Sequence, residues 1–383
     1  MLHDDLKKLN KYPFHMPGHK RNPDFNIDGS EIDITEIKGF DNLHSPSGSI
    51  FEIEQKLSSL YNSEKTFMLV NGSTVGLLAS IFAVTEQKDK IIIARNCHKS
   101  VYNACFLREL DVVYIEPEYN EENGFYIEIK QCEIDKAIQN NPDAKAVVLT
   151  SPTYEGCVSD VYADIPIIID SAHGAHFGFG SFPVYPNGDI VVSSLHKTLP
   201  SLTQTAILNV YNNALIDKVK MYFDIFQTTS PSYVLMNSVS KCVAFLENSK
   251  KAFEEYEAML NDFYQIKLSH LEFIKTDDKG KIIISTAKCN INGHQLADML
   301  REKHSIECEM ESINYIILMT SVADTKDAFA VLKNALVEID KTLVKSSINI
   351  IKKPAIPKKI CSSFEIKKTE KTLLENANGK VSA

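Results

Sequence analysis

The chain has no apolar run long enough to cross a bilayer. Its longest, such as Lys90-Ile-Ile-Ile-Ala94 and Ala144-Lys-Ala-Val-Val-Leu149, are strand-length and far short of the roughly 20 residues a spanning helix needs. The opening Met1-Leu-His-Asp-Asp-Leu-Lys-Lys lacks the apolar core of a secretory signal, so cytoplasm is the expected location. No Cys-x-x-Cys pair occurs among the eight cysteines. That argues against a zinc ribbon or a thioredoxin-like site and reads as free thiols in a reducing compartment. Clustered Lys and Arg with interleaved aromatics are also missing, and the net charge is −9, so nucleic acid is not an expected partner. Arginine is scarce, with only Arg21, Arg95, Arg108 and Arg301. Few arginines mean few candidate carboxylate clamps.

What remains is a globular chain of 383 residues with 44% hydrophobic side chains, which is more than one ordinary core. Residues 1–50 carry Pro13, Pro17, Pro23 and Pro46 and read as an arm wrapped over the rest. From Phe51 the pattern alternates. Phe51, Ile53, Leu57, Leu60 and Tyr61 share a helical face, and runs at 66–70, 90–94, 111–115, 145–149, 165–169, 189–193 and 205–210 read as strands buried on both sides. This predicts an α/β fold with a mostly parallel, seven-stranded sheet covered by helices over residues 51–265. A helical stretch at 212–265 is expected to break at Ser230-Pro231, with Ser232–Lys250 as its clearest helix. A smaller α+β domain is expected over 266–345, with strands at 281–285 and 315–319 and helices at 293–304 and 325–337. Residues 346–383 read as a tail.

Two residues carry the chemistry. Asp170 ends the apolar run Ile165-Pro-Ile-Ile-Ile-Asp170, and Lys197 follows the run Asp189-Ile-Val-Val-Ser193. A lysine at one strand end can form a Schiff base with an aldehyde cofactor. A carboxylate at a neighbouring strand end can keep a pyridine nitrogen protonated, so the pair suits pyridoxal 5'-phosphate. Asn71-Gly72-Ser73-Thr74 follows a strand and opens an apolar helix, which has the form of a phosphate cradle. No Gly-Lys-Ser/Thr follows, so it is not a Walker loop. His98, in Arg95-Asn-Cys-His-Lys-Ser100, again follows a strand, where open α/β sheets place ligands. It can flank an aromatic ring or cap the next helix. His173 and His176, with Asp170, could be taken for a metal site, but Gly174 and the missing third ligand favour contact of His173 with cofactor or substrate. Ser194 and His196 can serve a phosphate.

Together these segments resemble the Orn/Lys/Arg decarboxylase family. The resemblance rests on His15-Met-Pro-Gly-His-Lys20, Asn71–Thr74, Arg95–Ser100, Ser151-Pro-Thr-Tyr-Glu-Gly156, Asp170-Ser-Ala-His-Gly-Ala-His-Phe177, Ser194-Leu-His-Lys-Thr-Leu-Pro200 and Thr228-Thr-Ser-Pro231. It implies pyridoxal phosphate fold type I and decarboxylation of arginine, lysine or ornithine in a polyamine-forming step. It also implies a homodimer or higher homo-oligomer. By the same resemblance Lys197 carries the cofactor, Asp170 pairs with its ring nitrogen and His98 stacks on it. Gly72, Ser73, Thr74, Ser194 and His196 serve the phosphate, with His173 nearby. Thr228–Ser230 would reach a neighbouring subunit's phosphate. Glu155 and Asp41 are candidates to receive the substrate's cation, and Arg301 to anchor its carboxylate. The end at Ala383 stops before a Pro-Pro-Gly-Ile-Pro-type segment of the family and reads as a shortening. Transaminase or aldolase chemistry, or a silent homologue that binds a partner, are the alternatives.

Overall fold

The computed structural model describes residues 2–9, 13–346, 350–354 and 361–366; Pro357 and the Lys367–Ala383 tail lie outside them. After a short helix α1 (Leu2–Leu6), the chain reaches α2 (Ser49–Tyr61), β1 (Lys65–Leu69), α3 (Gly72–Val84), β2 (Lys90–Ala94), α4 (Lys99–Leu107) and β3 (Asp111–Ile115). A hairpin of β4 (Tyr119–Asn120) and β5 (Phe125–Tyr126) precedes α5 (Gln131–Asn140), β6 (Ala144–Thr150), β7 (Ile167–Asp170), β8 (Ile190–Ser194), α6 (Leu195–Thr198) and β9 (Ala206–Val210).

Apart from the β4–β5 hairpin, these strands form one seven-stranded sheet in the order β1-β9-β8-β7-β6-β2-β3. β8, β7, β6, β2 and β3 pair in parallel, while β9 runs against both β8 and β1. The expected mostly parallel sheet is therefore present, with one reversed strand. Burial on both faces holds for β2, β7, β8 and β9. It fails for β3, which is an edge strand with Asp111 and Tyr114 exposed.

Helices α7 (Ile216–Phe226), α8 (Tyr233–Leu246) and α9 (Lys250–Phe263) follow. The helix expected over 232–250 is α8 and ends at Leu246, because the chain turns at 247–249 before α9 begins at Lys250. There the Ser249 hydroxyl bonds back to the Leu246 carbonyl at 2.9 Å, a local bond that competes with helix continuation. Beyond lie β10 (Glu272–Ile274), β11 (Lys281–Ser285), α10 (Gly293–His304), β12 (Met310–Glu311), β13 (Tyr315–Met319) and α11 (Lys326–Asp340). Their strands make a separate antiparallel sheet, β10-β11-β13-β12. Asn292 and Gln295 start α10 with a reciprocal capping box.

The two sheets are clasped at the turn before β11. Asp278 N–H donates to the Gly156 carbonyl at 3.0 Å, and the Thr276 hydroxyl to the Glu155 carbonyl at 2.9 Å. Gly156 has φ +94°, and a Cβ there would lie 2.9 Å from Asp278 Cβ. Only glycine admits both that backbone and that approach.

Asp41 is a structural residue rather than a substrate contact. Its carboxylate accepts N–H bonds from Asn42, Ser47, Gly48, Ile50 and Phe51 at 2.8–3.2 Å, closing the arm onto the start of α2. Burial alone would raise its pKa, but those N–H donors hold it below the ordinary value. Asp41→Ala is expected to destabilise the protein by about 2 kcal/mol or more, measured by urea unfolding. Because the folded-state pKa is depressed, the carboxylate's contribution is present above the ordinary carboxylate range. It is lost as pH falls through the depressed value.

Candidate active site

The candidate residues collect where the parallel strands end. Thr150, Asp170 and Val192 stand in register across β6, β7 and β8, so the loops leaving those strands emerge side by side. Gly72, Ser73 and Thr74 open α3 after β1, His98 caps α4 after β2, and Ser194, His196 and Lys197 lie at the β8–α6 junction. Gly72 N–H donates to the Gln204 carbonyl at 2.8 Å, which ties the β1 loop to the segment following Lys197.

Asp170 is 2 % exposed, and among the described residues its carboxylate accepts one hydrogen bond, from Ala172 N–H at 3.2 Å. Burial raises its pKa against the opposing pull of that N–H, Lys197 and His98. A buried carboxylate so thinly satisfied is poised to receive a cationic partner. Lys197 is shifted the other way. Burial lowers its pKa, with Asp170 and Glu309 opposing. Its Nζ lies 3.0 Å from His173 Nε2.

His173 is buried, packed edge-on against Tyr154 with ring centroids 4.9 Å apart. Its other nitrogen, Nδ1, is 2.7 Å from Nζ of Lys281, the first residue of β11. Burial first, then the charges of Lys281 and Lys197, push its pKa well below the ordinary value. His176 faces Asp278, Nε2 to Oδ1 3.1 Å, in a buried pair. Each histidine is thus engaged by charged side chains of the chain itself. Among the described residues no cluster of three metal-ligating side chains is found.

His98 uses Nδ1 on Ser100, accepting its backbone N–H at 3.2 Å and meeting its hydroxyl at 2.8 Å. It caps α4 and still lies close enough to act on Asp170 and His173 electrostatically. His196 Nδ1 is bonded to the Thr205 carbonyl at 2.8 Å. Ser194 Oγ, Ser171 Oγ and Thr198 Oγ1 are buried and have no hydrogen-bond partner among the described residues. Thr228 lies beside this chain's own β1 loop, where the Asn71 side-chain oxygen accepts from Thr228 N–H and Gln227 Nε2 at 3.1 and 2.6 Å.

Arg301 is no carboxylate anchor for the site. On the exposed side of α10 it is held by Asp298, Glu307 and Glu311. Arg108 is tied to the Thr85 carbonyl and Glu86, and Arg95 lies over the Tyr114 ring. Glu155 does face the site, accepting from Tyr315 Oη at 2.9 Å, and burial raises its pKa. Sequence reasoning missed Lys281 and Glu309. Glu309 accepts from Tyr154 Oη at 2.7 Å and acts electrostatically on both Lys197 and Lys281.

Comparison with known proteins adds an independent line. The sequence pattern described as "Orn/Lys/Arg decarboxylase, major domain" matches residues 5–290. A Bacillus subtilis protein, YaaO, is 32% identical over 98% of this chain and 85% of its own length. An arginine decarboxylase of Bacillus anthracis is 29% identical over 98% of the chain and 84% of its own length. Among solved structures, the lysine decarboxylase LdcF of Francisella novicida superposes with a TM-score of 0.74 over 89% of this chain, at 18% identity. The chain spans 59% of that structure's length, and the likeness establishes the fold.

Proposed function

The chain belongs to the Orn/Lys/Arg decarboxylase family, and from that premise we propose that it releases the α-carboxylate of a basic amino acid as CO2, using pyridoxal phosphate. The observation that carries this reading is a buried, thinly satisfied Asp170 at the end of β7 and Lys197 just past the end of the neighbouring β8, where burial lowers the lysine's pKa.

The residues fit the cofactor. Asp170 lacks only a cation of the kind a protonated pyridine nitrogen provides. The 13-residue helix α3 starts without a side-chain cap, Gly72 adopts φ +75° with open space where a Cβ would sit, and Ser194 Oγ has no partner among the described residues. Uncapped N–H groups, a helix N-terminus and a spare hydroxyl suit a phosphate. On this reading Lys197 holds the aldehyde end and His98 flanks the ring. Ser73, Thr74, Ser194 and His196 surround the phosphate, and His173 orients Lys197. When bound, the cofactor supplies an electron sink for the bond broken at Cα. Asp170 holds that proton-bearing nitrogen in place. Lys197 Nζ or His98 then delivers the proton that the substrate carbon needs once CO2 has left.

Engagement of three of the four arginines, Arg95, Arg108 and Arg301, by other groups of the chain leaves few carboxylate clamps and supports a lyase over a transaminase, since the latter usually clamps the carboxylate that a decarboxylase must lose. We place the substrate's cationic end against Glu309, with Glu155 beside it. Glu309→Gln is expected to raise KM for the preferred basic amino acid about tenfold, with kcat changed by less than about threefold. Steady-state kinetics with that substrate and with a neutral analogue checks this, because the neutral analogue should lose its disadvantage. The reading as a whole is tested by incubation with arginine, lysine and ornithine while CO2 and amine are measured. Keto acid without CO2 would overturn it in favour of transamination. A homodimer or higher assembly, with residues 51–265 holding the cofactor and 266–345 closing over it, completes the proposal.

A further inference from the structure

His173 meets a lysine amine at each ring nitrogen, Lys197 at 3.0 Å on Nε2 and Lys281 at 2.7 Å on Nδ1. A neutral imidazole has one acceptor nitrogen and one N–H. Both contacts are hydrogen bonds only if the amine that receives the ring N–H is neutral, while the other, as an ammonium or as an amine, donates to the acceptor nitrogen. Two ammonium groups would leave one facing an N–H, donor against donor.

We infer that Lys281 shares one proton with Lys197 through His173, and that it takes this proton whenever Lys197 must act as a free amine. In the transfer, the Lys197 ammonium gives a proton to His173 Nε2 as His173 Nδ1 gives its own to the Lys281 lone pair. The imidazole is neutral before and after, and charge moves from one amine to the other. The inference rests on Lys197 being the cofactor lysine, for only then does the chain need its amine free.

The surroundings are built for charge at either end. Asp170 and Glu309 act on Lys197. Asp278, Glu309 and Glu155 act on Lys281, and His98 and His176 act on His173 besides the two lysines. Asp278 is already held below the ordinary carboxylate range: burial alone would raise it, but His176, Lys281 and Gly280 N–H outweigh burial. It therefore remains an anion beside Lys281. The phenols of Tyr256 and Tyr264 also face it. Lys281 itself is 2 % exposed, and burial brings its pKa down to about 8, so proton gain and loss lie within reach of neutral pH.

The test is competitive trace acetylation of the full chain freed of cofactor, with Lys197 and Lys281 peptides quantified by mass spectrometry across pH. Lys281→Met removes the acceptor, and the Lys197 midpoint is expected to rise by about one pH unit or more. Lys281→Arg keeps a permanent positive charge, and the midpoint is expected to fall. A loss of packing would move both variants the same way, and that result, or no shift in Lys281→Met, overturns the relay. If Lys281→Met does not fold, the direction seen in Lys281→Arg decides. If neither folds, the wild-type curves decide: linked amines titrate in two separated steps, whereas two independent single-step curves overturn the relay. None of these readouts needs turnover, so the relay and the decarboxylase reading fail separately.

Discussion

Lys197→Ala is expected to abolish the absorbance band at about 420 nm that wild-type protein develops with pyridoxal phosphate, and to lower decarboxylation at least about a thousandfold. The argument is positional. Lys197 sits one turn past β8, its amine is half-buried, and burial lowers its pKa. The other amine on His173, Lys281, lies behind that ring and belongs to the other sheet. Titrating the variant with cofactor in a spectrophotometer, beside a substrate assay, checks both parts. A band that survives the substitution would show that another amine holds the cofactor.

Asp170→Asn is expected to act in opposite directions on stability and on catalysis. Without cofactor, the wild-type protein keeps a carboxylate buried with a single N–H bond. An amide of the same shape should stabilise the cofactor-free protein at neutral pH by about 1–3 kcal/mol. The sign follows from the raised pKa. A carboxyl whose folded-state pKa is raised contributes most below its ordinary value, and loses that contribution as pH rises through the raised one. The gap between variant and wild type should therefore close in acid, where both side chains are neutral. Thermal unfolding from pH 7 downward checks this. In turnover the order reverses, since a neutral amide cannot hold a protonated pyridine, and kcat should fall roughly 10²- to 10⁴-fold. A variant no more stable at neutral pH, or one of undiminished kcat, would remove Asp170 from this role.

Most strands were legible because burial on both faces leaves unbroken apolar runs, as in Lys90–Ala94 and Ile190–Ser194. The reversal of β9 was not, since periodicity carries no strand direction. β3 misled for a related reason: Asp111-Val-Val-Tyr-Ile115 is apolar enough for a centre strand and lies at an edge. The pair Asp170 and Lys197 could be seen because each follows such a run. Lys281 could not, since a lysine flanking Ile282-Ile-Ile284 resembles any solvated strand end. Only the three-dimensional clasp at Gly156 shows that it points inward. Charge alone makes Asp41 and Arg301 look ligand-facing, whereas backbone donors consume one and surface carboxylates the other.

The clasp also means that the two sheets are not interchangeable modules. A cut or graft between them would look harmless on a strand diagram, since among the described residues no strand crosses from one sheet to the other. It would nevertheless sever a run of three side chains that begins on the large sheet and ends on the small one. Any chimera carrying a foreign small sheet must therefore bring an amine to the opening residue of its second strand, together with a glycine-sized gap opposite. Otherwise Lys197 is left with half of its surroundings.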